Sequence, residues 1–368
     1  KMLHHHRNPL YFCAQKYTMS NFHKLTIQSI TRETAQAISV GFLIPSDLQD
    51  TFSYQAGQYI TLKKDINGQE VRRAYSLCST PQSGELRVAI KEVEDGTFSR
   101  YAKRELKEGD VLEVAPPEGK FLLDPAFAKA KKTYLAFAAG SGITPIMSMI
   151  KTTLEASTES SFVLVYGNKR PEDAIFRDEL LALRDQYKER FSIEFIYSQS
   201  REDGAHFGRI MKSTVNFVVK NKYASHNFNE YYLCGPEAMI KEVTKVLTSN
   251  GVDDSRIHFE LFTASTEEVV IKEALDGQSQ IKVIVDDEEF EFTMSQDTLI
   301  LDATLDQDID APHSCQGGVC SSCIARITEG TAVMEKNQIL TDSEVAEGLI
   351  LTCQAHPTSA KLVVDYDD

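Results

Sequence analysis

In the first third of the chain, from Phe22 to about Leu123, short apolar runs alternate with polar turns. The runs predict six short strands, at residues 25–27, 37–43, 59–62, 74–77, 86–90 and 111–114. One helix, near residues 98–106, interrupts them. Several short strands at this spacing are typical of a small antiparallel barrel. We therefore predict an antiparallel β-barrel domain over residues 20–124.

From Lys132 onward the pattern changes to strands that alternate with helices. Buried strands are predicted at residues 133–138, 162–166, 191–196 and 231–234, and helices behind Pro145 and at residues 176–187 and 237–248. This alternation favours an open parallel sheet with crossover helices. We predict an α/β parallel-sheet domain over residues 130–262.

Residues 263–279 are polar and weakly patterned, and we interpret them as a linker. Apolar strand patterns return at residues 281–285 and 290–292 and are followed by a helical pattern around Leu301, which predicts a compact mixed domain over residues 280–368. Residues 1–18 contain three consecutive histidines and no apolar period. We interpret them as a tag or vector remnant, with Met19 as the native start.

The last domain contains four cysteines with an informative spacing. Cys315, Cys320 and Cys323 form C-x4-C-x2-C, and Cys353 follows after twenty-nine residues. This is the plant-type ligand set of a 2Fe-2S cluster. A structural zinc site is the alternative, but zinc ribbons usually pair two C-x2-C motifs. A disulfide framework is disfavoured because the other three cysteines are scattered through a chain without a recognisable secretory signal.

Charge is distributed unevenly along the 368 residues, whose formal net charge is −15. Residues 280–368 contain eighteen acidic and four basic side chains, which leaves a balance of −1 for the rest of the chain. Such numbers disfavour nucleic-acid binding through a basic face. No apolar run reaches eighteen residues, so no membrane span is expected, and we expect a cytoplasmic protein. The acidity either steers a partner or keeps the domain soluble.

The barrel contains candidate ligands for a flavin or a nucleotide. Arg73 can donate two hydrogen bonds to a phosphate, Tyr75 can pack on a flavin or ribose, and Ser76 can donate to a ring nitrogen. About twenty residues later, a predicted helix begins at Gly96-Thr97-Phe98-Ser99, where free N–H groups suit a pyrophosphate. We assign Val88, Ile90 and Lys91 to the same site. The alternative is a surface strand with ordinary charges.

The α/β domain has loops suited to a dinucleotide. Gly140-Ser-Gly142-Ile-Thr144-Pro145 joins a buried strand to a helix and permits close approach of a ligand, although the third glycine of the usual fingerprint is absent. Further candidate residues lie at or after the carboxyl ends of other strands, where open sheets bind ligands. They are Asn168, Ser198, Arg201, Cys234, Gly235 and Pro236.

The motifs occur along the chain in one order: Arg73-x-Tyr75-Ser76, Gly96–Ser99, Gly140-x-Gly142-x-Thr144-Pro145, Cys234–Pro236 and the cysteine quartet. This order resembles the ferredoxin-NADP reductase superfamily fused to a plant-type ferredoxin, and in particular the reductase components of multicomponent oxygenases. The resemblance implies FAD in the barrel, NADPH on the sheet and a β-grasp cluster domain. It also implies that electrons pass from NADPH through FAD and the cluster to a separate di-iron oxygenase acting on an aromatic CoA thioester.

The resemblance also implies roles for individual residues. The predicted catalytic residues are Ser76 near the flavin N5, Cys234 at the nicotinamide and Glu260, which with Phe262 closes the sheet domain over the isoalloxazine. A plain last strand is the alternative for Glu260 and Phe262. Ser198 and Arg201 are expected to select NADPH over NADH.

The identity of the acceptor stays open at this stage. Another multicomponent oxygenase, such as a ring-hydroxylating dioxygenase, is one alternative, and a redox sensor or electron carrier without turnover is another. From the charge distribution we expect an acceptor with a basic docking surface. Asp306, Asp308 and Asp310 are expected to form the acidic side of that contact.

Overall fold

Residues 22–124, 130–262 and 275–368 are described by the computed structural model. The tag prediction for residues 1–18 lies outside these ranges, as do residues 263–274 of the predicted linker. None of the helices in the described ranges is both long and apolar enough to cross a membrane.

The barrel domain is a six-stranded antiparallel sheet in the order β4-β3-β6-β1-β2-β5. Its elements are β1 (His23–Arg32), β2 (Ala37–Leu43), β3 (Tyr59–Ile66), β4 (Gln69–Ser76), β5 (Leu86–Lys91), α1 (Thr97–Glu105) and β6 (Val111–Val114). Alternate side chains of these strands, such as Leu86, Val88 and Ile90, fill one apolar core, as the period-2 pattern predicted. Leu77, predicted as the end of a strand, instead forms an isolated bridge to Val88.

The second domain is a six-stranded parallel sheet in the order β10-β9-β8-β7-β11-β12. Its strands are β7 (Thr133–Ala139), β8 (Ser161–Asn168), β9 (Phe191–Tyr197), β10 (His206–Phe207), β11 (Glu230–Cys234) and β12 (Ile257–Glu260). Its helices are α2 (Ile143–Ala156), α3 (Arg177–Gln186), α4 (Lys212–Asn216) and α5 (Glu237–Ser249), with a π-helical segment at Phe217–Lys222. The chain moves outward from β7 on one side and then returns to its other side with β11. This reversal opens a crevice at the carboxyl ends of β7 and β11.

The third domain contains a five-stranded mixed sheet in the order β14-β13-β19-β15-β17 and a two-stranded sheet formed by β16 and β18. Its elements are β13 (Gln278–Val285), β14 (Glu288–Ser295), α6 (Ile300–Leu305), β15 (Ile324–Glu329), β16 (Ala332–Met334), α7 (Asp342–Ala346), β17 (Leu349–Leu351), β18 (Ala355–Pro357) and β19 (Lys361–Asp365). Helix α6 packs in the core of this domain. Strand β13 begins within the stretch that the sequence assigned to the linker.

Polar contacts join the three domains. Ser148 of α2 donates a hydrogen bond of 2.6 Å to the carbonyl of Ser79 in the barrel. On the other side of the barrel, buried Arg72 forms an ion pair of 2.7 Å with Asp310 of the third domain. Asp310 was expected to form part of an acidic docking surface; its side chain is 62% exposed, and its carboxylate is also bound to the barrel.

Candidate functional site

A cavity of about 480 Å³ lies where the three domains meet. Its walls combine the end of β4, the start of α1, the loop before α2, the end of β12 and the cysteine loop. The predicted site residues that line it are Arg73, Tyr75, Ser76, Lys91, Gly96, Thr97, Phe98, Ser99, Thr144, Glu260, Phe262, Cys315 and Cys320. Motifs separated by more than two hundred residues therefore face the same space.

Two adjacent arginines on β4 have different environments. The side chain of Arg72 is buried and pairs with Glu70 and Asp310. Arg73 is exposed, lines the cavity, and donates a hydrogen bond of 2.6 Å to the Arg72 carbonyl. Since a strand sends successive side chains to opposite faces, one arginine binds the neighbouring domain and the other points to the cavity.

The turn before α1 brings backbone close to the cavity wall. A Cβ at Gly96 would lie 2.4 Å from the Ser99 hydroxyl and 2.5 Å from a methyl of Val93, so a larger residue here would displace those two side chains. Phe98 packs at 5.7 Å, centroid to centroid, against Tyr75. The first turn of α1 and the aromatic ring of β4 thus form one continuous surface.

Strand β5 presents one of its three predicted residues, Lys91, to the cavity, together with Ala89, which was not predicted. The side chains of Val88 and Ile90 are buried in the barrel core, whereas Ala89 and Lys91 line the cavity. A ligand in the cavity could therefore contact Val88 and Ile90 only through their backbone. Burial lowers the pKa of Lys91, an effect that nearby Asp173 opposes.

Ser76, Cys234 and Glu260 come together at the boundary between the barrel and the sheet. The Ser76 hydroxyl donates a hydrogen bond of 3.2 Å to Glu260. Cys234 lies opposite Glu260 in the β11–β12 pair. Burial raises the pKa of Glu260 to about 8, and the Ser76 hydrogen bond opposes this rise. Burial, together with the Glu260 charge, raises the pKa of the Cys234 thiol. At neutral pH this site therefore contains a neutral carboxyl and a neutral thiol.

The residues predicted for the dinucleotide lie along the carboxyl edge of the parallel sheet. Gly142 packs so closely on β11 that a Cβ would lie 2.1 Å from the Cys234 carbonyl. The backbone N–H of Ser198 donates to the Asn168 carbonyl at 3.0 Å, which ties the ends of β8 and β9 together. The Arg201 guanidinium lies 4.5 Å from the centre of the exposed Phe207 ring.

Of this dinucleotide set, Thr144 also lines the cavity described above. The others lie outside its lining: Gly140, Gly142, Pro145, Asn168, Ser198, Arg201, Cys234, Gly235 and Pro236. A nucleotide bound along this edge would reach the cavity at Thr144 and Glu260.

The four cysteines of the third domain form two pairs. The Sγ atoms of Cys315 and Cys320 are 3.1 Å apart, and Cys323 and Cys353 lie close enough for each thiol to shift the pKa of the other. Within the ranges that the structure describes, no three His, Cys, Asp or Glu side chains converge as ligands of a single metal ion. Two thiol pairs suit two irons, whereas a zinc ribbon would gather all four thiols around one ion.

The backbone around the first pair is shaped for thiolates. Gly318 has a φ of +72° and bends the chain around the sulfurs. The Gly317 N–H donates to Cys315 Sγ at 3.4 Å. The hydrogen bond from Cys320 and backbone N–H groups lower the pKa of Cys315, and the Cys323 thiol does the same for Cys353. The loop thus fits the ligand set of a 2Fe-2S cluster.

Some cavity residues were not found by sequence reasoning. Ser141 and Leu261 flank predicted residues, and their neighbours could have indicated them. Tyr59 does not adjoin a predicted site residue, and it lies in an apolar strand whose pattern predicts only core packing. Its ring nevertheless lines the cavity, and its hydroxyl contacts the cysteine loop.

This combination of a barrel, a parallel sheet and a thiol-lined loop around one cavity defines a flavin- and nicotinamide-dependent reductase with its own ferredoxin domain. Family models match all three parts: an oxidoreductase FAD-binding domain over residues 24–122, an oxidoreductase NAD-binding domain over 137–245 and a 2Fe-2S iron-sulfur cluster binding domain over 283–358.

Proteins of known function can be aligned with nearly the whole chain. It is 37% identical to one of the subunits of 1,2-phenylacetyl-CoA epoxidase from Escherichia coli K12, over 95% of this chain and 99% of that protein. The ferredoxin reductase component of 3-ketosteroid-9-alpha-monooxygenase from Rhodococcus rhodochrous is 31% identical over 93% and 96%. The solved structure of phthalate dioxygenase reductase matches with a TM-score of 0.59 and 27% identity, over 94% of this chain and 98% of that one.

The chain belongs to this family of FAD- and 2Fe-2S-containing reductases. It is a flavin iron–sulfur oxidoreductase that uses a nicotinamide nucleotide. The fold and cofactors predicted from the sequence are confirmed, whereas the roles of single residues and the domain boundaries remain predictions.

Proposed function

We propose that the chain is the reductase of a multicomponent di-iron oxygenase that acts on phenylacetyl-CoA, with NADPH as the electron donor. When bound, FAD takes two electrons from NADPH, and the 2Fe-2S cluster passes them on one at a time. The observation that carries the proposal is the shared cavity, which is lined by Ser76 and Glu260 and also by Cys315 and Cys320. The choice of substrate rests on the similarity to the E. coli phenylacetyl-CoA epoxidase component.

In this proposal the barrel residues hold the flavin. The exposed guanidinium of Arg73 and the start of α1 at Thr97 bind the phosphates, while Tyr75 packs on the flavin or ribose. Ser76 binds near N5. Glu260 accepts the Ser76 hydrogen bond, and because its carboxyl is neutral at pH 7 it adds no negative charge beside the flavin. Phe262, whose side chain lines the cavity mouth, excludes water from the ring.

The sheet edge holds the nucleotide in the same proposal. Gly140 and Gly142 allow the backbone to approach the pyrophosphate, and Gly235 and Pro236 border the nicotinamide pocket shaped by Cys234. Ser198 and Arg201 bind the 2′-phosphate, which favours NADPH. Support comes from the absence of an acidic residue directly after Asn168, where a carboxylate would bind a ribose hydroxyl.

The proposal includes a cytoplasmic location and an acceptor with a basic docking surface. Apart from the four proposed cluster ligands, the cysteines that the structure describes are Cys78 and Cys234, and both have free thiols, which suits a reducing compartment. The excess of acidic residues in the third domain supports a positively charged partner.

The proposal is tested by reconstitution with NADPH, phenylacetyl-CoA and the oxygenase subunits of the E. coli epoxidase. We expect consumption of phenylacetyl-CoA that depends on the reductase and is lost in the Cys353→Ser variant. The alternative acceptor is the oxygenase component of a 3-ketosteroid monooxygenase, since a reductase of that system is also 31% identical. Faster turnover with the steroid oxygenase than with the epoxidase subunits would overturn the assignment of phenylacetyl-CoA.

A further inference from the structure

A small hydrogen-bond network joins the barrel to the loop that carries the cluster ligands. The Tyr59 hydroxyl accepts a hydrogen bond of 3.0 Å from the Ser321 backbone N–H. It also lies 2.9 Å from the Ser321 hydroxyl and 3.2 Å from the Ser322 hydroxyl. Ser322 donates a short bond of 2.6 Å to the Glu118 carboxylate. Both serines lie between the ligands Cys320 and Cys323, so the barrel holds the centre of the ligand loop.

The barrel fixes Tyr59 rigidly on its own side. Tyr59 and Glu118 form an isolated antiparallel bridge, in which each N–H donates to the other's carbonyl at 2.9 Å. The next residue, Gly119, has a φ of +124°, and a Cβ there would lie 3.0 Å from the Tyr59 ring. The ring therefore packs directly on backbone, which leaves its hydroxyl little freedom.

Tyr59 is also next to the flavin side of the cavity. It lies directly opposite Ser76 in the β3–β4 pair, so the two side chains share a face of the sheet. Tyr59 lines the same cavity as Ser76 and Cys320. One side chain thus contacts the ligand loop and borders the position where the flavin ring is proposed to bind.

The Tyr59 side chain at the centre of this contact has little access to water. Tyr59 is 4% exposed. Burial raises the pKa of Glu118, and the hydrogen bonds from Ser322 and Tyr59 oppose the rise. Buried polar groups that lose a partner carry a larger penalty than the average bond contributes. The network therefore favours one docked position of the ligand loop over neighbouring ones.

We propose that Tyr59 and Glu118 are positioning residues that hold the cluster loop against the flavin cavity and thereby set the rate of electron transfer from FAD to the cluster. The inference rests on the proposed electron path within the chain, but not on the identity of the oxygenase. In each transfer one electron leaves the reduced flavin and one iron of the oxidised cluster is reduced. NADPH supplies both electrons as a hydride, and the second leaves the flavin after the cluster has passed on the first.

The test is a stopped-flow measurement on the full-length protein with both cofactors bound. The Tyr59→Phe variant keeps the ring but loses the hydroxyl. We expect flavin reduction by NADPH and the KM for NADPH to stay unchanged, while reduction of the cluster slows about five-fold, the population shift expected from losing one hydrogen bond of average net strength. The midpoint potentials of the flavin and the cluster are also measured by redox titration. The slowing is expected to be larger than any change in the difference between these two potentials would cause.

Two further variants separate positioning from simple destabilisation. Tyr54→Phe is the matched control, because Tyr54 is also a buried barrel tyrosine whose hydroxyl bonds within the barrel, at 2.8 Å to Ser79. It is expected to retain the parental rate of cluster reduction. At position 118, Glu118→Gln keeps an oxygen that accepts from Ser322 and is expected to retain most of the rate, whereas Glu118→Ala is expected to lose it.

An unchanged rate of cluster reduction in both Tyr59→Phe and Glu118→Ala, at normal iron and flavin content, would overturn this inference while leaving the proposed function intact. If the parent protein itself fails to reduce its cluster with NADPH, both proposals fail together. Normal cluster reduction without oxygenase turnover would contradict the choice of oxygenase alone.

Discussion

The Ser76 hydroxyl and the Glu260 carboxyl meet at 3.2 Å across the boundary between the barrel and the parallel sheet. Each residue ends its strand, β4 and β12 respectively, so the contact forms where the two domains close over the cavity. Burial raises the pKa of Glu260 to about 8. A carboxyl with a raised pKa is protonated below that value, and it is therefore neutral at pH 7 and ionised above pH 8.

We predict that flavin reduction by NADPH slows as the pH rises through about 8. The ionised Glu260 carboxylate would place negative charge beside a flavin that gains negative charge on reduction. A single ionisation lowers the rate by up to about ten-fold for each pH unit above the pKa. Stopped-flow traces at saturating NADPH between pH 6 and 10 would measure the profile.

The Glu260→Gln variant is expected to show a flat profile over the same range. Glu230→Gln is the matched control, because Glu230 is a half-buried carboxylate of the adjacent strand that pairs with His258 outside the cavity. It is expected to keep the parental profile. Parallel pH profiles for the parent and Glu260→Gln would show that another group titrates.

A second prediction concerns the cluster ligands. Cys353→Ser removes one thiol of the Cys323–Cys353 pair, so iron content is expected to fall from about two per chain to near zero. Flavin content and flavin reduction by NADPH are expected to remain, because the barrel and sheet provide those sites. Iron analysis and visible absorption of anaerobically prepared protein measure both. Cys78→Ser is the control, since Cys78 is buried among barrel and sheet residues.

Zinc in place of iron in anaerobically prepared parent protein would contradict this prediction. So would full iron content in Cys353→Ser. Loss of iron from Cys78→Ser would indicate that general destabilisation is enough to release the cluster. The loss of iron in Cys353→Ser would then not identify Cys353 as a ligand.

Local sequence patterns were sufficient for most of the first two domains. The bounds of β2 and β6 were predicted to the residue, and a proline stands two positions after the end of each strand. The strands after the cysteine loop were not predicted. They are short, and several of their pairings are made across long stretches of sequence, such as the parallel pairing of β13 with β19. A single-sequence pattern contains no signal for such contacts.

Some residues of the candidate site were likewise predicted from local sequence patterns, and others were not. Ser76 and Thr97 were found because they belong to contiguous motifs whose chemistry is recognisable. Arg73, which lines the cavity, was found in the same way, whereas nothing local indicated that Arg72 binds Asp310, 238 positions away. Tyr59 was missed because its partner Ser321 lies 262 positions away and its own strand reads as apolar core.

The third prediction concerns the nucleotide. The exposed guanidinium of Arg201 is available at the sheet edge beyond Ser198, and we expect it to bind the 2′-phosphate of NADPH. Arg201→Ala should raise the KM for NADPH about ten-fold, the effect expected from losing a charge-assisted hydrogen bond. The KM for NADH should stay nearly unchanged, because NADH lacks that phosphate.

Steady-state kinetics with an artificial acceptor would measure both constants for Arg201→Ala. Arg184→Ala is the control, since Arg184 is an exposed arginine of α3 that pairs with its neighbour Asp185. Equal increases for NADPH and NADH in Arg201→Ala would mean that Arg201 acts through its packing on Phe207.

The last prediction concerns the acidic third domain, and the structure changes which residues test it. Asp306, Asp308 and Asp310 all precede the cysteine loop and are exposed. Asp310, however, is bound to Arg72, so reversing its charge would disturb the contact between the barrel and the cluster domain as well as any docking surface. Asp306 and Asp308 have no ion pair among the residues that the structure describes, and they make the cleaner test.

We predict that Asp306→Lys combined with Asp308→Lys slows reduction of the oxygenase about ten-fold at low salt, because complementary charge mainly accelerates encounter. Raising ionic strength should slow the parent protein in the same way, since the Debye length falls from about 10 Å at 0.1 M to about 3 Å at 1 M. Flavin reduction, which takes place inside the cavity, should respond little.

The matched control is Glu155→Lys combined with Glu159→Lys, which makes the same change in charge on the sheet domain. It should leave the rate of oxygenase reduction near that of the parent protein. Equal slowing by both double variants would mean that net charge, and not a docking surface at residues 306–308, controls encounter. If the rate of oxygenase reduction does not depend on salt, the acidic residues serve only to keep the domain soluble.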